Sequence, residues 1–236
     1  MVYSKDPVGD GAPRQKRAKE RWDKVMDPKH FQRLLDEIKK NPLSQAHALR
    51  DYMVFMLMGN LGLRIGEAAL IHTDDAKVRL NAEPPMIIVP SLKKRKKTKS
   101  GTRILARKTL FIHPQVSRIT KQYIAEHTAE SQMYLFEGGS SEYKNLFGEY
   151  GHLSTRQIEN IFYSYCKACG FKEAYSSHCL RHMYGTLVWQ KTHDQAFLRD
   201  QLGHSVIEGL GSVTSLYIHI NPERGKDLVK LVGCII

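Results

Sequence analysis

The chain has 236 residues, which is enough for one sizeable hydrophobic core but too few for three domains of ordinary size. Its 36 Lys and Arg outnumber 24 Asp and Glu, and this excess favours a polyanionic partner, either nucleic acid or an anionic membrane. No apolar run approaches the roughly 20 residues that cross a bilayer, and the polar, basic N-terminus lacks the apolar stretch of a secretion signal. Nucleic acid is therefore the expected partner, with no membrane involved.

Cysteine usage favours a reducing, cytoplasmic compartment, because the four cysteines form no regular disulfide framework. Cys166 and Cys169 have the spacing of half a zinc site, with His178 and Cys179 nearby. Apolar residues at helical spacing instead favour a small core residue at Cys169, so we expect no metal. Those residues are Ile158, Ile161, Phe162, Tyr165 and Cys169.

The chain opens with a basic segment that is followed by a helix. Residues 1–24 are poor in apolar side chains, which predicts a flexible arm that is either solvated or in contact with a nucleic-acid backbone. Asp27 and Pro28 predict a helix start, with an acceptor at the cap and proline in the first turn. Asn41 and the proline after it predict its end. The apolar stripe of this helix is Phe31, Leu34, Leu35 and Ile38.

The next segment predicts a second helix over residues 46–58, and the turn chemistry of residues 59–62 is expected to stop it. A short helix is expected over residues 67–71. Two strands, over residues 86–89 and 109–112, are predicted to pair around a basic, glycine-containing turn. The sheet should be small and antiparallel.

The rest of the chain is predicted to be mainly helical. One helix begins near Pro114, and Ser154 is expected to cap another that runs to Gly170. Residues 131–153 form a long connection to which we assign no element. The fold class is therefore α+β and mainly helical, with one small antiparallel sheet.

Residue types that can cleave a phosphodiester occur in order along the chain. Cleavage without metal or water needs a nucleophile, positive charge around the phosphorus and an acid for the leaving oxygen. Tyr217 offers a phenol that would form a covalent phosphotyrosine. Arg64 and Arg181 offer permanent charge with paired donors. His178 lies three residues before Arg181, hence on the same helical face, and can act as a general base.

These residues, together with the Leu-Gly-His-Ser segment around His204, resemble the catalytic domain of the tyrosine recombinases, the phage-integrase family, from about residue 28 to residue 220. The resemblance implies that the chain is a site-specific recombinase of a mobile element, for integration, excision or inversion. It also implies a 3′-phosphotyrosyl intermediate, no cofactor and a homo-tetramer on synapsed double-stranded DNA. His204 would then contact a phosphate oxygen. A prokaryotic or virus-infected cytoplasm is the expected location.

The resemblance also implies that a lysine of the β-hairpin protonates the leaving 5′-oxygen. Lys93, four residues past Val89, fits the family's spacing best, and Lys99 is a serious rival because Lys-Ser-Gly-Thr resembles another family pattern. The other basic residues of the hairpin are expected to bind DNA. They are Lys94, Lys96, Lys97, Lys99 and Arg103.

Taken one at a time, these residues have ordinary explanations. Tyr217 alone would more often be a core or surface aromatic residue, and Arg64 alone a solvated arginine. Basic residues in a turn are most often a solvated loop or a phosphate-contact patch. The joint order and spacing favour the catalytic interpretation. Glu67 is expected to support Arg64 or to pack the short helix, and His182 to be structural.

The chain departs from the family between His204 and Tyr217, where the intervening segment is longer than in most relatives and rich in glycine. Whether Tyr217 acts in its own subunit or in a neighbour therefore stays open. Four other tyrosines are fallback nucleophiles at positions that fit the family less well. They are Tyr163, Tyr165, Tyr175 and Tyr184.

The chain also departs from the family in its domain organisation. We predict a basic arm over residues 1–24, a catalytic domain over 25–220 and a C-terminal tail over 221–236. The arm stands where the family usually has a helical core-binding domain, so the chain is either an excised catalytic domain or a short recombinase. The tail is apolar, and it packs either on its own domain or on the next protomer.

Three other functions remain open. One is a DNA-binding accessory protein that keeps the fold without the reaction. Another is a type IB topoisomerase, which uses the same nucleophile and phosphate clamp, although the Leu-Gly-His-Ser segment favours a recombinase. The third is a telomere resolvase, although such enzymes are usually much larger.

Overall fold

The structure, a computed structural model, describes residues 25–97, 103–138, 151–203 and 222–236, and of residues 93–97 and 103–105 it describes only the backbone. Within these ranges the chain forms helices packed around one main core, with a two-stranded antiparallel sheet. This confirms the predicted fold class. The helices are α1 Pro28–Lys40, α2 Ala48–Leu61, α3 Ile65–Ala69, α4 Thr73–Val78, α5 Pro114–His127, α6 Thr155–Ala168, α7 His178–Thr192, α8 Gln195–Leu202 and α9 Pro222–Val232. The strands are β1 Met86–Lys97 and β2 Arg103–Phe111.

Helix α1 forms where local signals predict it. Asp27 caps it by accepting a hydrogen bond from the Lys29 amide at 2.7 Å, and Pro28 occupies the first turn. Its apolar stripe is fully buried, and Asn41 ends the helix as expected. The predicted start, end and buried face of α1 are all confirmed.

Helix α2 runs past the predicted stop. It continues through Gly59 to Leu61 and ends at Gly62, whose φ of +62° is the left-handed conformation that favours glycine. The prediction that Gly59 begins the turn is wrong. Gly59 instead lets α1 approach, because a Cβ at this position would lie 2.2 Å from Cζ of Phe31. Ten of the 14 residues of α2 are buried, so this helix runs through the core of the part of the chain that the structure describes.

The hairpin is longer than the predicted strands and contains an irregularity. Pairing runs from Met86 opposite Phe111 to Ser91 opposite Ala106, and then resumes with Arg95 opposite Leu105. Residues 92–94 therefore have no partners on β2. Such a bulge bends the strand and changes where its side chains point.

The C-terminal helix folds back on the domain. Helix α9 packs against α7 and β2, and the residues after it cross α2. There the Asn60 side chain donates to the carbonyl oxygen of Ile235 at 2.6 Å and accepts from its amide at 2.8 Å. The last residues of the chain thus pack on the domain to which they belong.

The cysteines form no disulfide; Cys166, Cys169 and Cys179 are buried, and Cys234 is partly buried. The structure places Cys169 in the core, as expected. Across the described ranges no three His, Cys, Asp or Glu residues are grouped so that they could hold a metal. Nor does any helix in those ranges have the length and apolar character needed to span a membrane.

Candidate active site

The turn before α3, the start of α7 and the end of α8 meet at Arg181. Its Nη1 donates to the carbonyl oxygen of Gly62 at 2.5 Å, and its Nη2 donates to that of Leu202 at 2.7 Å. The side chain is only 5% exposed. One buried guanidinium therefore ties the turn that precedes Arg64 to the turn that precedes His204.

Arg64 is held at the start of α3 by Glu67. The Arg64 amide donates to Oε2 of Glu67 at 3.0 Å, and its Nη1 donates to Oε1, also at 3.0 Å. These bonds form because α3 begins at the residue after Arg64, so that its first turn brings the carboxylate back to the cap. The expected support of Arg64 by Glu67 is confirmed.

Glu67 is fully buried and binds a second cation, Lys108 of β2, whose Nζ donates to Oε2 at 3.1 Å. Nη1 of Arg181 lies 3.9 Å from the same oxygen. Three positive charges thus surround one carboxylate. The uncompensated positive charge favours an anion at this place, and a phosphodiester provides one.

Sequence analysis did not identify Lys108. Its signal was the alternation along β2, where Ala106 and Leu110 face the core and Lys108 lies between them on the same face. A lysine on the apolar face of a strand needs a buried partner, and Glu67 is that partner. Burial lowers the pKa of Lys108, with Arg181 and Arg64 acting in the same direction and Glu67 opposing them.

The histidine of the site is the first residue of α7. His178 precedes Arg181 by three residues, so both project from one turn, and its ring lies 4.6 Å from that of His182 in a T-shaped contact. Partial burial lowers the pKa of His178, and His182, Arg181 and Arg64 lower it further. The neutral ring is therefore favoured at pH 7, which suits a general base.

Residues 24–224 match the sequence profile of the phage integrase family. The chain belongs to the phage integrase family. A tyrosine recombinase of Pseudothermotoga lettingae is 26% identical over 202 residues, covering 86% of this chain and 58% of that protein. Transposase A from transposon Tn554 of Staphylococcus aureus is 23% identical over 206 residues, covering 84% of this chain and 52% of that protein. The chain thus spans little more than half the length of these curated relatives.

Solved structures share the fold of this phage integrase family member. XerA recombinase has a TM-score of 0.57 at 20% identity, covering 87% of this chain and 64% of that one. The integrase from mycobacterium phage Brujita has a TM-score of 0.57 at 19% identity, covering 88% of this chain and 57% of that one. XerH bound to its difH substrate has a TM-score of 0.56 at 19% identity, covering 77% and 47%. The resemblance noted from the sequence motifs is confirmed.

Several predicted residues of the integrase-family site lie outside the described ranges, namely His204, Tyr217 and Lys99. The backbone of Lys93 and Lys94 lies in the β1 bulge. Leu92, just before them, packs against α3, since its Cδ1 lies 2.7 Å from where a Cβ on Gly66 would be. The backbone of Lys96, Lys97 and Arg103 lies in the strands beside the hairpin turn.

Three of the four fallback tyrosines are unsuited to attack DNA. Tyr165, Tyr175 and Tyr184 are buried, and burial raises the pKa of each phenol, to about 12 for Tyr175. Tyr184 packs behind the site, against the Gly62 turn. Tyr163 is half exposed on α6.

Proposed function

We propose that the chain contains the catalytic domain of a site-specific DNA recombinase that cleaves and rejoins strands through a 3′-phosphotyrosyl intermediate. The observation that carries this proposal is the group of Arg64, Arg181 and Lys108 around the single buried carboxylate of Glu67. Its excess positive charge suits a reaction in which the phosphate passes from one negative charge to two. Similarity to recombinases and transposases supports the same conclusion.

The proposed cleavage step needs only the DNA and side chains of this protein to account for every bond and proton. The Tyr217 oxygen bonds to phosphorus, while the bond between phosphorus and the 5′-oxygen breaks. His178 takes the phenol proton, since its neutral ring is favoured, and Lys93 gives a proton to the leaving oxygen. Arg64 and Arg181 stabilise the pentavalent phosphate, and His204 contacts one of its oxygens. Rejoining is the reverse step, so no cofactor is needed.

Lys93 is preferred to Lys99 as the acid because of its place in the hairpin. It lies in the β1 bulge directly after Leu92, and Leu92 packs on Gly66, two residues from Arg64. The backbone of Lys93 is thus carried by a segment anchored beside the arginine.

Double-stranded DNA is the proposed partner, bound by the basic hairpin and by α6. The N-terminus of α6 lies beside α3, with Cγ2 of Thr155 3.8 Å from where a Cβ on Gly66 would be. Arg156 follows and is exposed. A DNA duplex that places a phosphate at Arg64 would therefore pass this end of α6. The hairpin contacts are proposed for Lys94, Lys96, Lys97, Lys99 and Arg103.

A homo-tetramer on synapsed DNA in the cytoplasm is the proposed assembly. Residues 1–24 would form an arm, residues 25–220 the catalytic domain and residues 221–236 a tail exchanged between protomers. Hydrogen bonds to the backbone hold the tail end, from Asn60 to Ile235 and from Gln32 to Ile236, and they do not depend on which copy of the chain supplies the tail. The Asn60 side chain bonds to the backbone of Ile235, so an identical tail from a neighbouring protomer would make the same hydrogen bonds.

A suicide-substrate assay tests the proposed function. Nicked duplexes that together cover the DNA on both sides of the coding sequence are incubated with protein without Mg²⁺, and SDS-resistant adducts are counted. We expect wild type and Tyr163→Phe to form adducts and Tyr217→Phe to form none. An adduct that survives in Tyr217→Phe would identify another nucleophile.

The same assay separates the other candidate functions. DNA binding without any wild-type adduct would favour the accessory-protein alternative. Relaxation of a plasmid that lacks every trapped site would favour the topoisomerase, and hairpin-ended products would favour a resolvase.

A further inference from the structure

We propose that Lys108 is a positioning residue of the cleavage site, which acts through Glu67 and Gly203 to keep Arg181 in its phosphate-binding geometry. This inference rests on the proposed function and adds a residue to it. Lys108 lies on β2, whereas Lys93, the proposed acid, lies in the bulge of β1.

The first contact is with Glu67. Oε2 of this carboxylate accepts from the Arg64 amide at 3.0 Å and from Nζ of Lys108 at 3.1 Å. Nη1 of Arg181 lies 3.9 Å away, beyond hydrogen-bond distance, and donates to Gly62 instead. Lys108 therefore occupies the place on Oε2 that Arg181 would otherwise take.

Arg181 is sensitive to that competition because the bond from its Nη1 to Gly62 is to a neutral carbonyl oxygen. A charged carboxylate is a stronger acceptor than a backbone oxygen, particularly in a buried setting. Without Lys108, we expect Nη1 of Arg181 to leave Gly62 for Oε2 of Glu67. The guanidinium would then turn away from the position in which it joins the two turns.

The second contact is with Gly203, at the end of α8. A Cβ here would lie 3.1 Å from Cδ of Lys108 and 3.3 Å from its Nζ, so the lysine packs directly on this left-handed residue. Gly203 immediately precedes His204. Lys108 thus contacts the groups that hold Arg64 and the turn that leads to His204, which explains why its side chain is only 12% exposed.

The test compares cleavage by Lys108→Met with cleavage by Lys121→Met, the same change at an exposed lysine of α5. We expect Lys108→Met to slow adduct formation on the order of 100-fold, as small displacements of catalytic groups do. The DNA affinity of both variants should stay near that of wild type, and so should the cleavage rate of Lys121→Met. Thermal unfolding shows whether Lys108→Met is folded, and Lys108→Gln replaces it if it is not.

A sulfur-substituted substrate separates positioning from proton donation. When a 5′-bridging sulfur replaces the leaving oxygen, the leaving thiolate needs little protonation. We expect this DNA to restore cleavage by Lys93→Ala but not by Lys108→Met. Restoration of Lys108→Met would identify Lys108 as the acid and overturn the positioning role.

A double-mutant cycle tests the route through Glu67. In a Glu67→Gln background, Lys108→Met should cause little further loss, because the carboxylate that it protects is gone. Additive losses would overturn the proposal.

A crystal structure of Lys108→Met gives a result that does not depend on activity. Nη1 of Arg181 should move to within hydrogen-bond distance of Oε2 of Glu67, and an unmoved Arg181 would overturn the proposal. If wild type itself formed no adduct on any DNA, the proposed function would fail, and this structural result would still decide what Lys108 does.

Discussion

Asp194 joins the two helices that flank residues 204–221. Its Oδ1 accepts from the Phe197 amide at 2.9 Å and so caps α8, while its Oδ2 accepts from Nη2 of Arg224 on α9 at 2.5 Å. The aspartate is 7% exposed and the arginine 67%. One buried carboxylate therefore joins the start of α8, the helix before this segment, to the start of α9, the helix after it.

This double role predicts unequal effects of removing the two partners. Asp194→Ala should lower the free energy of unfolding by about 1–3 kcal/mol, because the cap and the ion pair are both lost. Arg224→Ala should cost no more than about 1 kcal/mol, since its end of the pair is exposed. Asp194→Asn, which keeps the cap, should resemble Arg224→Ala in urea denaturation. Equal losses for both alanine variants would contradict the buried-carboxylate explanation.

The proposed base predicts the acid limb of the cleavage rate. Below its pKa, His178 is protonated and cannot accept the phenol proton, and burial and nearby positive charge place that pKa below the usual 6.5. An NMR titration of the ring in the free protein should give a midpoint under 6.5. Arg64→Ala should move this midpoint upward, because one source of repulsion is removed. A wild-type midpoint above 6.5 would contradict the assignment of His178 as the general base.

Two helical glycines should respond oppositely to alanine. Gly59→Ala places a methyl group into the Phe31 ring and should destabilise the fold by about 1–3 kcal/mol through overpacking. At Gly185, in α7, the nearest atoms lie 3.5 Å from the new Cβ, an ordinary contact. Gly185→Ala should therefore stabilise the fold by up to about 1 kcal/mol through helix propensity. Thermal unfolding of both variants measures the difference, and a neutral Gly59→Ala would show that α1 is free to move.

The paired bonds of Asn60 predict how firmly the tail is held. Asn60→Asp keeps the acceptor for the Ile235 amide but loses the donor to its carbonyl oxygen, and it should cost about 1–2 kcal/mol. In a chain lacking residues 233–236, the same substitution should cost less, because only the bond from the Asn60 side chain to the Met56 carbonyl oxygen is then lost. If the cost were the same in both chains, Asn60 would act through α2 and not through the tail.

Sequence reasoning succeeded where the cause is local. The start of α1 follows from the Asp27 cap and Pro28. A short helix was expected over residues 67–71, and α3 begins two residues earlier, at Ile65. Sequence reasoning failed at Gly59, because a glycine that ends a helix and a glycine that admits Phe31 look alike in one dimension. The contact that decides the role of Gly59 is long-range in sequence, since Phe31 belongs to another helix.

The candidate site, too, could be predicted from the sequence only in part. The order of Arg64, His178 and Arg181 along the chain was enough to expect them together. The structure places both arginines beside Glu67, and His178 close enough to both that their charges lower its pKa. Lys108 was missed because its importance depends on the partner that β2 meets across the core. The choice between Lys93 and Lys99 likewise depends on where the hairpin bends, which spacing alone does not encode.

The two backbone bonds of Arg181 have a practical consequence for anyone who wants an inert but intact form of the protein. Replacing this arginine would leave the Gly62 and Leu202 carbonyl oxygens without their buried donor, so chemistry and architecture would be lost together. A variant intended to bind DNA without cutting it is better made at Tyr217, the proposed nucleophile. Tyr217→Phe removes a single oxygen atom and keeps Arg181 in the chain.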